Sequence, residues 1–149
     1  MLFRSLGCEH PAFWGKDHED GDFKAFCCLY ATARDFARIG QLYLDSGKWN
    51  GSRIIPQEYW QASITPAPVL DHGKPNERYG YYWWLGQVEG QPMYYCRGFH
   101  GEYVVVLPHD HLVMVRTGMR WEEKNAEGHP KDVMEYIAIA RALAAQHPT

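Results

Sequence analysis

The sequence has no apolar run near the roughly 18 residues that a membrane-spanning helix needs, so no membrane-spanning segment is expected. Its opening, Met1-Leu2-Phe3-Arg4, gives way to polar residues too soon to read as a secretory signal, which leaves the compartment open. Nor is there a basic block: 15 Lys and Arg against 18 Asp and Glu leave a net charge of -3, spread along the chain. That distribution argues against a nucleic-acid partner and against a polybasic membrane patch, and it favours a small or neutral partner. The four cysteines, Cys8, Cys27, Cys28 and Cys96, form neither a C-x-x-C pair nor a His-spaced zinc pattern. Adjacent Cys27 and Cys28 are not expected to bridge each other, and all four read as small buried hydrophobes. Internal repeats and low-complexity tracts are absent too.

What is present is a globular composition, 46% hydrophobic, 15% aromatic and 22% charged over 149 residues. That is enough for one domain whose core needs no disulfide or metal staple. Residues 1–31 read as a loop-rich lead-in, with Asp17-His18-Glu19-Asp20-Gly21-Asp22 as a solvated loop. Residues 32–64 are helical in pattern. Thr32 with Asp35 makes a capping box, Phe36, Ile39, Gly40 and Tyr43 share one helical face, and Ser46-Gly47 ends the run. After a turn-rich connector, Pro56 is placed as the first residue of a short helix through Tyr59 and Trp60.

A polar, proline-containing loop at 65–78 precedes a β-rich region at 79–118. Its three runs are 79–87, then 92–99 continuing after Gly101 to 107, then 112–117. The links at 88–90 and 108–111 are too short for crossovers, so the strands are expected to be antiparallel. A closing helix over 130–146 repeats apolar residues at Val133, Met134, Ile137, Ala138 and Ala144. The class is therefore α+β.

Three blocks carry a family resemblance. The first is Tyr30-Ala31-Thr32-Ala33-Arg34-Asp35-Phe36-Ala37-Arg38-Ile39-Gly40, followed by Leu42-Tyr43-Leu44, Gly47-Lys48-Trp49-Asn50-Gly51 and Ile54-Ile55-Pro56. The second is Tyr79-Gly80-Tyr81-Tyr82-Trp83-Trp84-Leu85, and the third is Arg97-Gly98-Phe99-His100-Gly101-Glu102 with the apolar run to Pro108 and Val113-Met114-Val115 after it. In this order and spacing the chain resembles the C-terminal part of the β-lactamase-related serine hydrolases, which include class C β-lactamases and penicillin-binding proteins. The Arg97-to-Gly101 run is similar to the branch of 6-aminohexanoate-dimer hydrolases and class C-like esterases. The resemblance covers about Leu6 to about Ala145.

It implies the C-terminal portion of the β-lactamase/transpeptidase-like fold: three antiparallel strands, a C-terminal helix and part of a helical region. It also implies attack on an amide, ester or β-lactam carbonyl by the Ser of S-x-x-K, assisted by Y-x-N or S-x-N, with a K-T-G-type motif on the oxyanion side. No cofactor is implied. The first two motifs do not occur here: the third residue after Ser5, Ser46, Ser52 and Ser63 is Cys8, Trp49, Ile55 and Pro66, and no Tyr or Ser has Asn two positions on. In the family both lie before the segment resembling Leu6 onward, so the chain is expected to be an inactive fragment. Its expected partners are a small-molecule amide or ester in the full-length enzyme, and a complementing N-terminal segment or a second copy.

The third motif maps onto Cys96-Arg97-Gly98, which makes the backbone at Gly98 and Phe99 the implied oxyanion side, with the Phe99 amide as donor. Cys96 stands where the family has lysine, so a cation to hold a substrate carboxylate could come only from Arg97, on the opposite strand face. Arg97, His100, Tyr82 and Trp84 are the candidate substrate-binding residues; His100 reads either as a structural hydrogen-bonding residue at a strand bend or as a proton shuttle, and alternation along Tyr81, Tyr82, Trp83 and Trp84 leaves open which half lines a cleft. Arg116-Thr117-Gly118 imitates K-T-G but ends the last strand, two strands too late. His109, Asp110 and His111 fall in a hairpin turn where polar residues are expected, and no metal site is assigned. The 112–117 edge is expected to pair with another chain or with rearranged residues from 1–28. A rival reading is a non-catalytic binding or interaction module on the same scaffold.

Overall fold

The computed structural model describes residues 2–120, 123–125 and 128–147, with side chains described from Arg4 onward. The elements run α1 (Leu2–Ser5), β1 (Phe13–Trp14), β2 (Leu29–Tyr30), α2 (Ala33–Leu44), β3 (Lys48–Trp49), β4 (Ser52–Arg53), α3 (Gln57–Ser63), β5 (Leu70–Asp71) and β6 (Lys74–Pro75). There follow β7 (Trp84–Val88), β8 (Gln91–Arg97), β9 (Tyr103–Leu107), β10 (Leu112–Arg116) and α4 (Lys131–Gln146).

Helix α2 begins where its cap allows it. The Thr32 hydroxyl accepts the Asp35 N–H at 3.2 Å and donates to the Asp35 carboxylate at 2.9 Å. Asp35 is fully buried, and its oxygens also accept the backbone N–H of Glu9 at 2.8 Å and the Arg38 guanidinium at 3.0 Å. Desolvation raises the carboxyl pKa, but the donors from Glu9, Thr32 and His10 and the Arg38 charge outweigh it and hold it below the usual value. One buried carboxylate thus ties the lead-in to the start of α2. The prolines act one position earlier than expected: Pro56 and Pro130 are the N-caps of α3 and α4.

The main sheet is antiparallel, in the order β10-β9-β8-β7. Alternation sorts its side chains onto two faces. On one face Met93, Tyr95, Tyr103, Val105 and Leu107 pack with Val133 and Ile137 of α4. On the other, Tyr94 and Val106 pack with Tyr43 of α2 and with Trp83, and Trp60, Ile64 and Cys96 close around them. Every residue of β9 is buried, as befits a strand covered on both faces.

The sheet has four strands where three runs were expected. The run through 92–107 turns back on itself at 98–102, where Gly101 has φ +82°, and becomes the β8–β9 hairpin. The run expected to begin at Tyr79 enters the sheet only at Trp84, because Tyr82 at φ 66° bends the chain before it.

Two further expectations are corrected. Cys27 and Cys28 are joined by a disulfide, and Cys28 takes a positive φ of 69°. Cys8 and Cys96 are free: Cys96 packs against the cluster of Tyr43 and Trp83 as a small, largely buried hydrophobe, whereas Cys8 is only partly buried. Residues 1–28 also do not refill the β10 edge: β1 pairs with β2, Phe13 opposite Tyr30, in a hairpin of its own. Among the described residues β10 pairs with β9 alone.

Candidate active-site wall

The turn that ends β8 brings Gly98, Phe99 and His100 together. Gly98 N–H donates to Glu102 O at 2.8 Å and Gly101 N–H to Gly98 O at 3.4 Å. The Glu102 carboxylate reaches back to accept the His100 N–H at 2.9 Å. Phe99 lies outside the ladder, since the β8–β9 register ends at the Arg97–Tyr103 pair. Its side chain is 86% exposed and its ring meets the His100 ring edge-on at 5.2 Å. Among the described residues the Phe99 N–H has no hydrogen-bond partner. It is a backbone donor left over at the mouth of a well-braced turn.

The brace comes from β10 and α4. Arg116 Nη1 donates to Gly101 O and, at 2.8 Å, to Arg120 O. Its guanidinium lies 5.6 Å from the Tyr103 ring, 4.8 Å from the Tyr136 ring and 3.8 Å from the Asp132 carboxylate. Tyr103 Oη donates to that same carboxylate at 2.9 Å. Burial, and then this bond, push the Tyr103 pKa up. None of Glu102, Arg116, Tyr103 or Asp132 stands out as a bracing group in the sequence. Register aligns Arg116 with Tyr103, and the helix supplies Asp132 from far along the chain.

The other implied residues divide between two places. Arg97 stacks over Trp84 at 4.4 Å, and Trp84 meets Tyr79 edge-on at 4.9 Å. Trp84 packs on the α4 side of the sheet, whereas Cys96 packs on the α2 side. Tyr82 is 58% exposed at the bend before β7, and nearby Tyr81 lies 5.9 Å from Tyr59. Next to them Trp83 turns inward onto Tyr43 at 4.4 Å. The aromatic block thus supplies both core and exposed surface, which alternation alone did not resolve.

The loop before the block is pinned by Asn76. Its Nδ2 donates to Ala67 O at 2.9 Å and to Tyr79 O at 2.6 Å, and its Oδ1 accepts the Tyr79 N–H at 3.1 Å. A concavity of about 560 Å³ lies elsewhere, at the β3–β4 hairpin between Asp45, Lys48, Arg53 and Gln57. Among the described residues no group of three or more His, Cys, Asp or Glu side chains is placed to hold a metal, and His109 and His111 are exposed in the β9–β10 turn. No described helix is long and apolar enough to cross a membrane.

No protein-family model and no curated protein matches the chain. Solved structures do. A 6-aminohexanoate-dimer hydrolase-like protein from Bacillus anthracis is 27% identical over 97% of this chain, with a TM-score of 0.69, and the match covers 37% of that protein. A β-lactamase-like protein from Bacteroides dorei is 15% identical over 95% of this chain, with a TM-score of 0.60, and the match covers 49% of it. The chain spans less than half the length of either. It has the α+β fold of the β-lactamase-related serine hydrolases, and its scaffold is a hydrolase scaffold.

Proposed function

We propose that these residues form the oxyanion-side strand and one cleft wall of a serine hydrolase that opens an amide or ester through an acyl-enzyme. The observation that supports this most directly is the unpaired Phe99 N–H in the turn after β8, with Gly98 before it and Glu102 and Arg116 holding the turn. An N–H fixed by its surroundings and spared from the ladder is what a developing oxyanion requires, because it needs no reorganisation as charge appears. In this reading the attacking serine and its lysine come from a segment outside these residues, and the chain by itself is inactive. Tyr82 and His100 form the exposed substrate contacts, with Arg97 and Trp84 backing the wall from the α4 side. Engagement of Arg97 with Trp84 favours neutral amides and esters over substrates that need a cation for a carboxylate.

The test is labelling with a fluorophosphonate, with and without a family segment that carries S-x-x-K and Y-x-N. Label should appear only in the mixture and only on that segment's serine. Phe99→Pro, which removes the N–H, should slow labelling by about 10²- to 10³-fold, whereas Phe99→Ala should leave it near the parent rate. Binding of the segment with no labelling would favour a non-catalytic interaction module, and equal rates for the two variants would remove Phe99 from the site.

A further inference from the structure

The Cys27–Cys28 bond plays no part in the proposed hydrolase wall, and its surroundings assign it a different role. A disulfide between neighbouring residues closes the smallest ring a protein can make, so it constrains almost no chain entropy and is a poor stability staple. Its effect is local. Within the ring Cys28 takes φ 69°, a conformation that residues other than Gly, Asn and Asp rarely adopt.

In that conformation the Cys28 carbonyl accepts the Gly15 N–H at 2.8 Å, and the Cys27 carbonyl accepts the Trp14 indole N–H at 3.1 Å. The same indole N–H reaches Lys24 O at 2.9 Å, and Lys24 N–H donates to Gly15 O at 3.0 Å. A side chain at position 15 would stand 3.0 Å from Cys28 Cβ, so glycine allows the two segments to meet. The disulfide therefore sits where the arms of the 13–30 hairpin are clasped together. Both cysteines are partly exposed.

We infer that Cys27 and Cys28 form a reversible redox clasp that holds the 13–30 hairpin closed when oxidised and releases it when a dithiol reduces it. One thiolate of the dithiol attacks a cysteine sulfur, the S–S bond breaks and a mixed disulfide forms. The second thiolate of the dithiol then displaces that sulfur. The protein gains two electrons and two protons as two thiols, and the reductant leaves as its own cyclic disulfide. Freed from the ring, Cys28 leaves its left-handed conformation, and the carbonyls that hold Gly15 and Trp14 turn away. The exposed aromatic side chains Phe13, Trp14, Phe23 and Phe26 then lose their common frame.

The test uses the whole chain, first oxidised with glutathione disulfide, then treated or not with dithiothreitol under native conditions. Accessible thiols are alkylated with iodoacetamide and mapped by mass, and limited trypsin cleavage is timed after Lys24 and, as an internal control, after Arg38 in α2. Cys27 and Cys28 should take label only after reduction. Reduction should speed cleavage after Lys24 by about tenfold and leave Arg38 unchanged, as local opening requires. The double variant Cys27→Ser/Cys28→Ser should be cut after Lys24 at the reduced rate in either condition. Labelling of either cysteine before reduction, an unchanged Lys24 rate, or equal acceleration at Arg38 overturns the inference, and these wild-type readouts stand even if the variant does not fold.

Discussion

Burial acts on single side chains of the sheet in one direction. Desolvation pushes the Cys96 thiol up to about 12. It also lifts Tyr95 to about 12 against the lowering effect of Arg97 and Arg78, while Tyr95 Oη shares a 2.9 Å hydrogen bond with His129 Nδ1. Both groups hold their protons more tightly folded than unfolded, where their values are 9.0 and 10.0. The stability that this difference provides is complete below about pH 9 and is lost as pH rises towards about 12. A urea midpoint measured near pH 8 and again near pH 11 should therefore fall, and the fall should be smaller in Cys96→Ala/Tyr95→Phe. A flat profile, or an equal fall in the variant, would contradict this account. Residues of this kind were half legible in the sequence. Cys96, Arg97 and Phe99 could be placed by their distance from the 103–107 run, but nothing in the spacing tells that Arg97 is spent on Trp84 or that Arg116 closes the turn. Those facts depend on strand register and on a helix that arrives later in the chain.

Helix α2 meets the sheet most closely at Gly40. A methyl group there would stand 2.5 Å from Val113 Cγ1 and 3.2 Å from Val104 Cγ1, both on stiff β-branched side chains of β10 and β9. Alanine gains about 1 kcal/mol of helix propensity over glycine, yet overpacking costs about 1–3 kcal/mol, and the buried contact should win. Gly40→Ala is expected to lower stability by about 1 kcal/mol in a denaturant titration, with Gly40→Ser worse; a stabilised Gly40→Ala would mean that helix and sheet are free to separate. The helix itself was legible because its signals are local: the Thr32 cap, the 3.6-residue period and the Ser46-Gly47 stop. The boundaries that shifted are those where a long-range partner decides. Tyr79 to Trp83 have strand-forming side chains, but Asn76 fixes Tyr79, and the bend at Tyr82 sends Trp83 onto Tyr43. Likewise the run over 92–99 and its continuation after Gly101 read as one strand, and it is the Gly98–Glu102 bond and the grip of Arg116 on Gly101 that turn it into a hairpin.

For the whole molecule the surface is too large for its mass. A folded monomer of 17.3 kDa should expose about 7,800 Å², whereas this chain exposes 10061 Å². The excess, about 2,200 Å², is more than the roughly 800 Å² that each partner covers in an interface of standard size. Part of it is apolar side chain on named elements: Phe13, Phe26, Leu70, Phe99, Ile139 and Leu143 are all exposed. Part is the outer edge of β10, whose residues are all only half-buried and whose backbone pairs on one side among the described residues. Such an edge is a template for another strand, and apolar surface beside it adds to the drive for association. The chain should therefore sediment as species heavier than 17.3 kDa at concentrations of tens of micromolar, and dilution or a complementing segment should change that distribution. A monomer at every concentration, with a cooperative melt above about 60 °C, would show that the edge and the apolar surface are tolerated without a partner.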